Sequence, residues 1–228
     1  MTRSATTASS NQSSPDPLGR PLLRGWLHLY GVIGAVICSA ILIPVAGLVS
    51  GTAALATVVY CLGVSACFGV SALYHRRVWG PRGYAIMRRL DHAAIFLLIA
   101  GTYTPYCLLL LPPRTATLLL TVVWSGAVAG IVLQLAWPTA PRWLSVPIYI
   151  ALGWTAIAVL PDVLSSGGMA VLALLLAGGI AYSVGALCYA FKWPNPWPRV
   201  FAHHEVFHAC TLVAAICHHI GVYLALFR

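Results

Sequence analysis

The chain has 228 residues, of which 60% are hydrophobic and only 7% charged, and its formal net charge is +9. That balance lies far outside the globular norm and belongs to an integral membrane protein. It excludes a soluble basic domain of the kind that binds nucleic acid: the basic residues fall between apolar segments, where topology and anionic lipid headgroups account for them.

Residues 1–25 are rich in Ser, Thr, Pro and Arg and hold no apolar core of the signal-peptide kind, so they read as an uncleaved, disordered cytoplasmic tail. Residues 26–228 read as a single all-α transmembrane domain. A bilayer core needs about 20 apolar residues per helix. Seven segments qualify, at 26–48, 52–74, 91–111, 116–136, 144–160, 169–190 and 201–227. The short connections carry the breakers Gly80-Pro81, Pro112-Pro113, Pro138 with Pro141, Gly167-Gly168, and Pro194, Pro196 and Pro198. The expected fold is a seven-transmembrane helix bundle.

Lys and Arg set its orientation. Arg3, Arg20, Arg24, Arg76, Arg77, Arg82, Arg88, Arg89, Arg142, Lys192 and Arg199 fall on one side, against Arg114 and Arg228 on the other. The richer side is expected to be cytoplasmic, with the N-terminus inside and the C-terminus outside. The seven cysteines all lie in apolar segments and form no Cys-x-x-Cys pair, so they read as small buried hydrophobes. Trp79, Trp137, Trp143, Trp193 and Trp197 cluster at predicted membrane boundaries as an interfacial belt.

The chemistry concentrates at His204-Glu205-Val206-Phe207-His208, where the last apolar segment begins. Helix positions i and i+4 share one face, so both imidazoles can reach one metal ion. Topology brings His75, at the end of span two, and Asp91, at the start of span three, to the same depth. Three neutral imidazoles from His75, His204 and His208 would hold zinc and leave one tetrahedral position for water, the catalytic arrangement. Ser71 lies at i−4 from His75 and faces the same way, ready to hydrogen-bond the water or an oxyanion. Asp91 can orient the water, accept its proton or coordinate the metal, or else cap the N-terminus of span three. Glu205 is either a general base, as in zinc proteases, or a partner of the Arg-rich surface. His203 and His92 read as interfacial or supporting groups, and His28 as interfacial. His218 and His219 lie about 15 Å deeper than His208 by helical rise, too far to join the same metal site, and suit hydrogen bonding or a pocket wall.

Four motifs, Ser71-Ala-Leu-Tyr-His75, Leu90-Asp91-His92-Ala-Ala-Ile95, Ile99-Ala-Gly-Thr-Tyr-Thr-Pro105 and His204-Glu-Val-Phe-His208, resemble in order those of the hemolysin III family. Its wider relatives are the progestin and adipoQ receptors, including the adiponectin receptors. The resemblance implies a seven-helix bundle with zinc near the cytoplasmic side, held at the positions of His75, His204 and His208, with Ser71 and Asp91 at the family's Ser and Asp positions. It implies a zinc-dependent hydrolase of ceramide-like lipid amides. Receptor members tend to carry Gln where Glu205 stands. The expected partners are membrane lipids, with a lipid-like substrate entering from the bilayer. The rival readings are a cytolysin or channel-like protein with structural zinc, which the hemolysin name implies, and an intramembrane zinc protease. The protease reading suits the His-Glu-x-x-His motif but not its position in the last span.

Overall fold

The computed structural model describes residues 19–137 and 139–228. Most of the expected tail, residues 1–18, and the breaker Pro138 lie outside the described residues. The described chain is all-helical, apart from an isolated bridge between Trp197 and Phe201. Its helices are α1 (Trp26–Val49), α2 (Gly51–Arg76), α3 (Pro81–Leu110), α4 (Pro113–Ala136), α5 (Arg142–Gly153), α6 (Leu160–Phe191) and α7 (His203–Ala225). A 3₁₀ turn, Trp154–Val159, joins α5 to α6.

Among the described residues, six stretches are long and apolar enough to cross a membrane. Five are α1, α2, α3, α4 and α7. The sixth runs continuously over Arg142–Phe191, 50 residues in all. Gly168 breaks it with φ 80° and ψ 173°, a conformation open to glycine. The Arg142 guanidinium sits 4.4 Å from the centre of the Tyr189 ring, whereas Gly168 lies beside Arg228.

Local chemistry sets the helix starts. Ser50 caps α2 by accepting a hydrogen bond from the Ala53 N–H at 3.0 Å. Pro81 and Pro113 occupy the first positions of α3 and α4, where a missing N–H leaves no bond unmade. Pro81 starts α3 ten residues before the predicted boundary at 91. The added turns carry Arg82, Arg88 and Arg89, so apolar content alone does not reveal them. Asp91 therefore lies inside a helix, and its expected alternative as an N-cap is corrected: the cap position belongs to Gly80.

α3 is the central helix. Within its most apolar window 72% of residues are buried, against 11% in α1, which turns Ile33, Val36, Ile37 and Ile41 outward. Without a hydrophobic drive between helices in lipid, close packing falls to small residues. Gly63 of α2 meets the Leu97 carbonyl of α3, and Gly101 of α3 meets the Val59 carbonyl of α2. This crossing presses the end of α2 against α3 and so brings His75 toward Asp91.

A methyl group at Gly63 would come within 2.8 Å of the Leu97 carbonyl oxygen, a backbone atom that cannot step aside. Gly63→Ala should therefore lower stability by about 1–3 kcal/mol, the usual cost of overpacking. Gly47, where an added methyl would meet nothing within 4 Å, is the control. Thermal unfolding in detergent should show a clear loss for Gly63→Ala and none for Gly47→Ala.

Candidate metal centre

The site forms where the end of α2, the second and third turns of α3 and the first turns of α7 converge. His75 stands in the last turn of α2; His204 and His208 are one helical turn apart on α7. One ligand atom from each of the three lies within 4.8 Å of the other two. The Nε2 atoms of His75 and His204 are 3.1 Å apart. Two nitrogens bound to one tetrahedral zinc at about 2.0–2.1 Å would be roughly 3.3 Å apart, so the spacing fits the ion. His208 is 1% exposed, and its Nδ1 is buried with no hydrogen-bond partner in the protein. The group can hold a metal ion.

Asp91 faces the triad from α3, its Oδ2 4.0 Å from His75 Nε2 and 3.8 Å from His92 Nδ1. The Ser71 hydroxyl neighbours the Asp91 carboxylate. Ser71, Asp91 and the three histidines line one cavity of about 410 Å³. The five residues singled out from the sequence are thus brought together. His92 is partly buried, its Nδ1–H bonded to the Arg88 carbonyl at 2.8 Å. His203 turns away to Asn195 Oδ1, 2.9 Å from both its main-chain and ring nitrogens. His218 lines the same cavity far deeper, and His219 packs near Tyr60.

Glu205 has a structural part. Its carboxylate is wholly buried; Oε2 accepts the Ala202 N–H at 2.9 Å, and Oε1 pairs with Arg24 Nε. It caps α7 and neutralises a guanidinium, which leaves it without a free edge toward the triad.

Two contributors to the site escape the sequence reading. His28 is expected at the interface, yet it is 3% exposed and its ring stacks on His208, 3.7 Å between centres and 10° from parallel. Its Nε2 lies 2.9 Å from Thr211 Oγ1, whose own hydrogen goes to the His208 carbonyl. His28 must therefore donate from Nε2, and the pair fixes the plane of the His208 ring. The uniformly apolar surroundings of α1 give no periodic signal for this.

The second contributor is the end of the expected tail. The N–H groups of Leu22 and Leu23 bond the carbonyls of Arg199 and Val200, and Arg20 donates to the His75 carbonyl at 3.1 Å. Gly25, at φ 78°, lies where a side chain would strike His75. Residues 20–25 are thus part of the site wall. The run of Pro21, Leu22 and Leu23 before Gly25 is the signal the sequence offers.

The profile described as "Haemolysin-III related" matches residues 18–219. The chain belongs to the haemolysin-III-related family. Within that family it resembles Hemolysin-3 of Bacillus cereus, 34% identical over 72% of this chain and 71% of the relative. It is also similar to the Hemolysin-3 homolog of Bacillus subtilis (strain 168), 38% identical over 56% of this chain. That match spans 57% of the relative's own length. A heptahelical transmembrane protein of Oryza sativa subsp. japonica is 28% identical over 72% of this chain and 79% of its own. Family membership and the six apolar stretches together make this a multi-pass membrane protein.

The Arg24–Glu205 pair yields a direct expectation. Arg24→Ala leaves a buried, unpaired carboxylate and should cost about 3–5 kcal/mol. Arg24→Ala combined with Glu205→Gln should recover much of that loss, because the amide oxygen still accepts the Ala202 N–H. Thermal unfolding of the two variants in detergent measures the difference. Metal content should be unchanged in Glu205→Gln alone.

Proposed function

We propose that this protein is a zinc-dependent hydrolase of lipid amide or ester bonds, of the ceramide-like class, working within the membrane. One observation carries the reading: three histidines within 4.8 Å stand on the wall of a 410 Å³ cavity, with a carboxylate 4.0 Å from one of them. Structural metal sites are closed by their protein ligands, whereas this one opens onto space large enough for a ligand.

His75, His204 and His208 would hold the ion. Zinc, when bound, polarises a carbonyl oxygen and makes water acidic near neutral pH. Asp91 takes a proton from the attacking water and returns it to the departing nitrogen or oxygen. Ser71 donates a hydrogen bond to charge developing on the scissile carbonyl. His28 holds the His208 ring in plane. Arg20, Arg88 and Arg142 stand around the same cavity and favour a lipid headgroup with negative or strongly polar oxygens. The acyl chain occupies the remainder, entering from the bilayer.

We further infer seven crossings. Fifty residues of helix would extend about 75 Å, more than twice the roughly 30 Å hydrocarbon core. The glycine break at 168, with Arg142 beside Tyr189 at one end and Gly168 beside Arg228 at the other, supports two passes over that stretch. The name of the heptahelical rice relative agrees. An odd count and the basic asymmetry then put the N-terminus and the histidine triad on the cytoplasmic side. A cysteine replacing Arg82 in a cysteine-free background should be shielded from an impermeant thiol reagent in intact cells, and one replacing Arg114 should react. The reverse labelling would overturn this orientation.

The chemistry is tested in reconstituted vesicles. Purified protein should carry about one zinc per chain, as one three-histidine site requires, and His208→Ala should lose most of it. Asp91→Asn should keep fold and metal but lower lipid-amide hydrolysis about 10²-fold or more. Ser71→Ala should lose less. Dye leakage measured alongside separates the cytolytic reading attached to the family's name: wild-type leakage with no turnover on a panel of ceramides and acyl amides would replace the hydrolase with a pore.

A further inference from the structure

The deep end of the cavity holds polar atoms that the metal chemistry does not use. His218 is 7% exposed, and both its ring nitrogens are buried with no hydrogen-bond partner in the protein. The Tyr182 hydroxyl, also buried, is equally without one. The two rings stand 5.6 Å apart at 73°, and both line the cavity that holds the triad. Tyr106 stands on the other side of His218, its ring perpendicular to the imidazole and its hydroxyl bonded to the His218 carbonyl.

Neighbouring polar groups in the same wall are satisfied. The Tyr103 hydroxyl donates to the Gly153 carbonyl at 2.6 Å and accepts the Ala156 N–H at 2.7 Å. Trp154 Nε1–H donates to Ser183 Oγ at 2.8 Å. This part of the bundle can therefore partner its polar groups internally, and it leaves His218 and Tyr182 apart. An unpartnered polar group costs heavily in such surroundings, and ionisable residues there mark ligand or ion paths. Gly178 gives the imidazole its room: a methyl there would overlap His218 Cδ2.

The position defines what can bind. Ten residues of helix separate His218 from His208, about 15 Å along α7. A smaller cavity of about 60 Å³ adjoins it, sharing His218, Trp154 and Gly179 and lined beyond them by Cys107, Leu111, Leu119 and Val163. A chain with its head at the triad can pass His218 and run on into apolar space. We propose that His218 and Tyr182 form a second recognition point, for a hydroxyl or carbonyl oxygen carried midway along the acyl chain of the bound lipid. The proposal rests on the reading of the cavity as a lipid site and names its preferred ligand class: amphiphiles oxygenated roughly 15 Å from the headgroup. Tyr182 O–H donates to that oxygen, and a His218 ring nitrogen donates to it or accepts from it.

The test is binding, so it reads out whether or not the protein hydrolyses anything. Zinc-loaded protein in nanodiscs is titrated with stearamide and with stearamide hydroxylated at its twelfth carbon, each displacing a fluorescent acyl probe. Wild type should prefer the hydroxylated chain by about tenfold, the scale of one or two net hydrogen bonds in a buried site. Tyr182→Phe, which keeps the ring, should reduce the preference to about threefold or less, and adding His218→Leu should abolish it, while stearamide binding stays within about twofold. Equal binding of the two amides by wild type, or a preference untouched in Tyr182→Phe, overturns the proposal. Failure of both amides to bind overturns the lipid reading of the cavity along with it. An intact preference without turnover supports the subsite and removes only the hydrolase.

Discussion

An ionisable side chain inside an apolar bundle is costly unless it finds a partner, in the protein or in what the protein binds. That constraint organises this molecule. Glu205, wholly buried at the start of α7, pairs with Arg24 and caps its own helix. The anchored α7 then presents His204 and His208 on one face. His75 meets them from the end of α2, its Nε2 3.1 Å from that of His204, while the glycine crossing of α2 and α3 lets those two backbones touch. Asp91 reaches the same point from α3, beside Ser71 and His92. The members of the site thus come from α2, α3 and α7, with His28 of α1 and residues 20–25 packed against them.

Much of this is legible in the chain. Spans two, four and seven fall within a few residues of their expected places, because long apolar runs between Gly and Pro breakers leave few choices. The convergence of His75, Asp91 and His208 is what an expected count of seven crossings implies, and the structure brings the three together. Depth alone does not fix azimuth, and there the pattern thins. His28 sits on a helix apolar all round, so nothing in the sequence says which way its ring turns; only its stacking on His208 assigns it. The early start of α3 is hidden because arginines interrupt its apolar pattern while leaving its helical geometry intact. Residues 20–25 look like tail for want of hydrophobicity, yet their contribution is made by backbone hydrogen bonds and by two guanidinium groups.

The two polar centres of the cavity differ in kind. At the triad, polar atoms crowd within a few ångströms and answer one another. At His218 and Tyr182 they are sparse and answer nothing nearby. The polar groups between them, such as Thr211 and Ser183, are already paired within the protein. A cavity with one dense and one sparse polar point measures length as well as chemistry, since a ligand must present matching groups at the right separation.

The Arg24–Glu205 contact joins residues 181 positions apart in the sequence. During synthesis the first helices enter the bilayer long before α7 exists. Through that interval Arg24 waits without Glu205, His28 without His208 and Thr211, and His75 without His204. Insertion of the last helix is then the event that completes the site, and the order of translation itself becomes a safeguard: a chain that stops short of α7 has neither the carboxylate that anchors its N-terminal segment nor two of the three imidazoles. Such a fragment would expose unpaired arginine and histidine in the membrane, the kind of surface by which quality control distinguishes unfinished proteins from finished ones.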